Sequence, residues 1–269
     1  MSTLKKKWLR ESPIGDYSND TYIEHVHEKV REIHFVKNFN KLDEGSHIIW
    51  DPTEEQDNSA VAIYEKSTQA LYISTKGQDE IFAPVDSNRL FAGMEYLVVI
   101  DGLELLNTSK VTTMFLMFAN VGANGEEITI SGMDTWDVSN VTNMESMFIS
   151  VGEYAKTCIL SDLSNWNVSH CRYMQHMFAF SGAESTIWKI GNLSKWDVSN
   201  VEMMHYMFGN AGRNAMEWSI GDLTNWNVSN VKAIDGIFAH AGKNAKNFNV
   251  GDLSAWDLKN VRKYLLRQH

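Results

Sequence analysis

The chain is poor in the residues that build linkers, disulfide frameworks and membrane spans. It has three prolines in 269 residues, which excludes long Pro-rich linkers. Its two cysteines, Cys158 and Cys171, make no disulfide framework. Both fall where neighbouring segments carry apolar residues, so packed, reduced thiols are expected. That suits a cytosolic protein, and equally a secreted one that needs no bridges. No run approaches the roughly 20 apolar residues of a membrane span. The start, "MSTLKKKWLRESPIG", is basic but has no apolar segment behind it. The chain is therefore expected to be soluble, whether it is cytosolic or has lost a signal or anchor. Basic residues are the minority, 24 Lys and Arg against 34 Asp and Glu. The net charge of −10 argues against nucleic acid and against anionic membranes as partners.

What is abundant is repetition. "DTWDVSNVTNMESMF" at 134–148 returns as "SNWNVSHCRYMQHMF", "SKWDVSNVEMMHYMF" and "TNWNVSNVKAIDGIF", each 30 residues after the last. Trp stands at 136, 166, 196, 226 and 256, with Leu106 one interval earlier. Phe stands at 118, 148, 178, 208 and 238, and Gly at 122, 152, 182, 212 and 242. Met recurs at 114, 144, 174 and 204, and again at 117, 147, 177 and 207. A fixed period of this length signals stacked repeats, in which each unit packs only on its neighbours.

Within one unit, Val141, Met144, Met147 and Phe148 follow the spacing of one apolar helix face. Ser139 stands at the N-cap position and Gly152 at the stop. Ahead of the next Trp, "ITISGMDTW" alternates apolar and polar residues as a short strand does. The unit is thus expected to run strand, turn, short helix, return loop. The expected fold class is an α/β repeat, a right-handed solenoid of 30-residue coils with the strands on one side and the helices on the other. The Trp, Met and Phe rows would fill its core.

"WDVSNVTNMESMF" resembles the repeat of the BspA-like leucine-rich-repeat surface proteins of bacteria. The resemblance continues upstream through residues 50–106, where a "WDPT" strand, an "LYI" strand and the half-coil "LFAGMEYLVVIDG" look like the segment that caps such repeats. It covers residues 32–258. Two departures stand out. The repeats are longer than is usual, with extra residues such as "AGRNAMEWS" after the expected helix. The step from Phe91 to Ile100 is also shorter than the step from Phe118 to Ile130. The resemblance implies a leucine-rich-repeat-like fold, display at a cell surface or secretion, adhesion or protein binding, and no catalysis. It carries over no ligand.

Outside the repeats, "SNDTYIEHVHEKVR" (18–31) has the pattern of a capped helix. The pieces "IHFV", "HIIW", "AVAIY", "ALYIS" and "EIFA" between 32 and 83 have that of strands. The expected organisation is an N-terminal helical segment (1–31), a β-rich cap with the first half-coil (32–95), the repeats (96–258) and a C-terminal capping helix (259–269).

Chemistry is sparse. His25 and His27 are two apart and share no helix face, so they make a poor zinc pair. His170, His176, His205 and His240 occupy four different rows and read as singles. The row Asp137, Asn167, Asp197, Asn227 and Asp257 suits turn capping better than calcium. Neither a phosphate loop nor a nucleophile elbow is present, so no catalytic residue, cofactor or metal is expected. One row escapes packing duty: Thr129, Ile159, Lys189, Ser219 and Asn249 should face out from the strands, and they differ in every unit. They are the candidate partner-binding residues of a non-catalytic protein-interaction or adhesion module, with a host or bacterial surface protein as partner. The alternatives are a carbohydrate-binding module using exposed Trp188 and Trp218, and an intracellular interaction scaffold.

Overall fold

The computed structural model describes residues 2–6, 29–39 and 47–261. The strand-like pieces of the N-terminal third all become strands. They are β1 (Glu32–Val36), β2 (His47–Trp50), β3 (Val61–Glu65), β4 (Ala70–Ser74) and β5 (Ile81–Phe82). β6 (Val99–Asp101) and β7 (Leu106–Asn107) follow. Each repeat then adds one strand: β8 (Glu127–Ile130), β9 (Thr157–Leu160), β10 (Ile187–Lys189), β11 (Trp218–Ser219) and β12 (Phe248–Asn249). Eight strands form one mixed sheet in the order β10-β9-β8-β6-β1-β4-β3-β2. It is parallel from β10 to β4 and antiparallel from β4 through β3 to β2. β11 pairs in parallel with β12, and β5 with β7. Most of the expected helix at 18–31, with His25 and His27, lies outside the described residues, as do residues 262–269 of the expected C-terminal helix.

The register carries the 30-residue period directly. Ile128 faces Cys158, which faces Trp188. A second line of parallel bridges joins Thr113, Asn143, Tyr173, Met203 and Ala233.

The expectation of an α/β solenoid with helices opposite the strands is overturned. The fold is mostly β; apart from Lys29, at the edge of the described residues, the helical elements there are three single 3-10 turns, Leu103–Leu105, Met133–Thr135 and Leu253–Ala255. Where a helix was expected, alternate amides part company. The N–H groups of Met144, Ser146, Phe148 and Ser150 donate to Tyr173, Gln175, Met177 and Ala179 of the next repeat, at 2.8–3.0 Å. Those of Met147, Ile149 and Val151 close tight turns on Met144, Ser146 and Phe148 at 3.2 Å. An α-helix needs every N–H to reach back four residues, so neither set is available to it. Ser146, Ser150 and Gly152 also take φ of 54°, 54° and 57°, a left-handed conformation that breaks a right-handed helix. The apolar spacing that looks helical is met instead by this run of turns, which still turns Met144, Met147 and Phe148 inward.

The core is a set of side-chain ladders. Phe91, Phe118, Phe148, Phe178, Phe208 and Phe238 stack with centroids 5.1–5.6 Å apart. Trp136, Trp166 and Trp196 stack at 6.3 and 6.4 Å, and Trp226 and Trp256 at 6.3 Å. Each Trp also donates its indole N–H to a carbonyl 33 residues back. Trp136 reaches Leu103, Trp166 Met133, Trp196 Leu163, Trp226 Leu193 and Trp256 Leu223, at 2.8–3.1 Å. The ring supplies buried area and its one polar atom ties adjacent repeats together, so none of these five indole N–H groups is unpaired.

Candidate interaction site

The five candidate residues lie on five consecutive strands, β8 to β12. Thr129 faces Ile159 and Ile159 faces Lys189 across the parallel ladder, and Ser219 faces Asn249. On β8 to β11 their chain neighbours point inward: Ile128, Ile130, Cys158, Leu160, Trp188, Ile190, Trp218 and Ile220 are all buried, whereas Phe248 beside Asn249 is exposed. Alternation across the pleat therefore turns the row outward. Thr129 and Ile159 are half-buried, and Lys189, Ser219 and Asn249 are exposed. The row continues through Val99 on β6 to Glu32 on β1.

Trp188 and Trp218 are not on that surface. They are 4% and 1% exposed. Their rings stack at 5.6 Å, and their indole N–H groups donate to Ser181 Oγ (3.1 Å) and the Ala211 carbonyl (2.9 Å). The aromatic platform on which the carbohydrate alternative relied is thus core.

Beside the row, β1 carries a polar clamp. His34 contacts Asp101 of β6 through Nδ1 (2.8 Å) and Glu32 through Nε2 (3.0 Å), and its ring stacks on Tyr72 of β4 at 5.0 Å. Burial pushes the imidazole pKa down, but hydrogen bonds to the Glu32 and Asp101 carboxylates outweigh it and leave it raised. No reading of the repeats points to this residue, because it lies outside them.

The Asp/Asn row caps turns. Asp137 accepts from the Ser139 amide (3.0 Å), Asn167 from Ser169, Asp197 from Ser199, Asn227 from Ser229 and Asp257 from Lys259. A second such row, Asp162, Asn192, Asp222 and Asp252, lies at the start of the Trp segment. It leaves room only for glycine in the next repeat. Gly221 sits at φ 88°, and a Cβ there would lie 2.0 Å from Asn192 Oδ1.

Two of the histidines read as singles in fact meet. His176 and His205 rings pack edge to face at 5.0 Å, and His176 stacks on Tyr206 at 5.6 Å. Their spacing is 29, one short of the period, which places them in adjoining rows. Burial lowers both pKa values; the His205 charge adds to this at His176, while Glu145 and Asp235 oppose it at His176 and His205 respectively.

On another face, an open groove of ≈ 350 Å³ is lined by His170, Arg172, Asn200, Glu202, Asn230 and Lys232. Glu202 is gripped from both sides, by Arg172 (Nε to Oε1, 2.7 Å) and by Lys232. Those two cations hold its carboxyl below the usual range.

No curated protein and no solved structure matches the chain. One family model, described as "Mycoplasma protein of unknown function, DUF285", matches residues 85–217 and again 179–265. Together the two matches take in every repeat and more than half of the sequence, and the chain belongs to this family.

Proposed function

We propose that the chain is a non-catalytic protein-interaction module of the bacterial surface-repeat kind, which binds a protein partner through the outward face of its parallel sheet. The observation that carries the reading is the contrast between rows. The Trp, Met and Phe rows repeat one chemistry and are consumed by packing. The row Thr129, Ile159, Lys189, Ser219 and Asn249 is in register from Thr129 to Lys189 and again from Ser219 to Asn249, carries a different side chain on every strand, and alternates with the buried positions. Stacked repeats commonly recognise partners through such a face. The resemblance of "WDVSNVTNMESMF" to BspA-like surface repeats favours adhesion over an intracellular scaffold.

Lys189 is the probe, as the long cation at the middle of the row. A protein captured by the immobilised wild-type chain from surface extracts should bind Lys189→Glu more slowly and with altered salt dependence, if its own face is acidic. Stability should stay within about 0.5 kcal/mol, as for most surface changes. Unchanged binding by Lys189→Glu and by Ile159→Asp would remove the site from the sheet.

A further inference from the structure

The groove lined by His170, Arg172, Asn200, Glu202, Asn230 and Lys232 lies where two regular rows change character. In the first row, Asn140, Asn200, Asn230 and Asn260 each donate a side-chain N–H to a serine carbonyl of the preceding repeat: Ser109, Ser169, Ser199 and Ser229, at 2.7–2.9 Å. His170 takes the place of an asparagine and is exposed. In the second row, the hydroxyls of Thr112 and Thr142 bond the carbonyls of Val85 and Thr112. The next three members are Arg172, Glu202 and Lys232, which bond one another instead. The departures coincide in space, and the groove is where they coincide.

The unspent hydrogen-bonding capacity there is specific. The Asn200 and Asn230 amide nitrogens each spend one N–H on a backbone carbonyl, so each side chain keeps its carbonyl oxygen, an acceptor, and a second N–H. Arg172 has five N–H donors and Lys232 three, and Glu202 uses only part of them. On a chain of net charge −10, this spot holds two cations around one carboxylate. All six lining residues are polar, and their carbon stems make up as much of the wall as their polar atoms do. Two neutral amides in successive repeats, each with an acceptor and a donor, beside a pair of cations match a ligand with adjacent hydroxyls, which both donate and accept, and one carboxylate. We infer that this groove is a binding site for acidic saccharides of the uronate class. The sugar carboxylate would share Arg172 and Lys232 with Glu202, and its hydroxyls would donate to Asn200 and Asn230. The site is separate from the sheet face and does not depend on it.

Calorimetric titration of the full chain with tri-galacturonate, maltotriose, tri-glutamate and inorganic sulfate tests this. Tri-galacturonate should bind and maltotriose should not. Lys232→Gln should weaken binding at least tenfold with an unchanged thermal melt. Glu202→Gln should tighten it several-fold, because it removes the competing carboxylate and releases both cations; a merely structural Glu202 would not do so. Lys189→Glu should leave it unaltered. Absence of tri-galacturonate binding, or indifference to Lys232→Gln, overturns the site. Equal affinity for sulfate overturns it in favour of a simple anion site, and equal affinity for tri-glutamate in favour of an acidic peptide.

Discussion

Trp196 shows how much one side chain does in this architecture. Its ring stacks almost parallel on Trp166, at 6.4 Å and 2°, and its indole N–H holds the Leu163 carbonyl at 2.9 Å. Trp196→Ala should cost about 3–5 kcal/mol in denaturant unfolding, the usual range for a large aromatic removed from a core. Trp196→Phe keeps most of the apolar area and leaves the Leu163 carbonyl its bond from the Trp166 amide, so it should cost about 0.5–1.5 kcal/mol, the net worth of one hydrogen bond. Equal losses for the two would mean that the hydrogen bond, not the ring, carries the stability. The two cysteines make a second test at this scale. Both are free and buried, and desolvation pushes each thiol up to about 12. The reactive thiolate is then almost absent at pH 8. Ellman's reagent should label neither cysteine in the native chain and both in denaturant; rapid native labelling would place a thiol on the surface.

At the scale of the element, β1 joins two kinds of sheet, with parallel β6 on one side and parallel β4, leading to the antiparallel β3 and β2, on the other. His34 pins it by bonding Asp101 across to β6. Its folded pKa is raised above the unfolded value near 6.5. The stabilisation is therefore fully present below about pH 6.5 and is lost as pH rises through the folded pKa. The melting gap between wild type and His34→Gln should be wider at pH 6 than at pH 9, because only the protonated ring donates to both carboxylates. A gap independent of pH would show that His34 acts by packing alone. Strands such as β1 and β4 were legible in the sequence, because β-branched and aromatic residues alternate there and turn residues bound them. The outward row was legible for the same reason. The false helix was not separable from the real turns. Both satisfy the spacing of Val141, Met144, Met147 and Phe148, and the difference lies in amides that leave for the next repeat. The His176–His205 contact was hidden because it forms between rows, whereas the period compares residues within one row; Arg172, Glu202 and Lys232 do share a row, and their alternating charge at 30-residue spacing was there to be read.

For the whole molecule, stacking makes burial depend on position in the array. Phe148, Phe178 and Phe208 are fully buried, whereas Phe238 is only partly so. Met147, Met177 and Met207 give way to a partly buried Ile237. The row Cys158, Trp188, Trp218 ends in Phe248, which is 42% exposed, and Trp256 is less buried than Trp226. At the other end β1 covers β6, and the core runs on without a break into Ile33, Leu71 and Ile73. Each repeat gains its stability from its two neighbours, so the repeat with the weaker neighbour should open first. Native-state hydrogen exchange should show the slowest amides in the middle, such as Phe148 and Phe178, whose N–H groups reach Met177 and Met207 at 2.8 Å. Amides bonded to the last repeat should exchange earlier. Asn210, which donates to Ala239, and Leu223, which donates to Val250, are the ones to follow. Substituting Phe238→Ala should then speed exchange in residues 232–261 strongly and in residues 121–180 little. If every amide instead shares one opening free energy, and Phe238→Ala lowers all of them alike, the array unfolds as a single unit and the gradient in burial has no energetic counterpart.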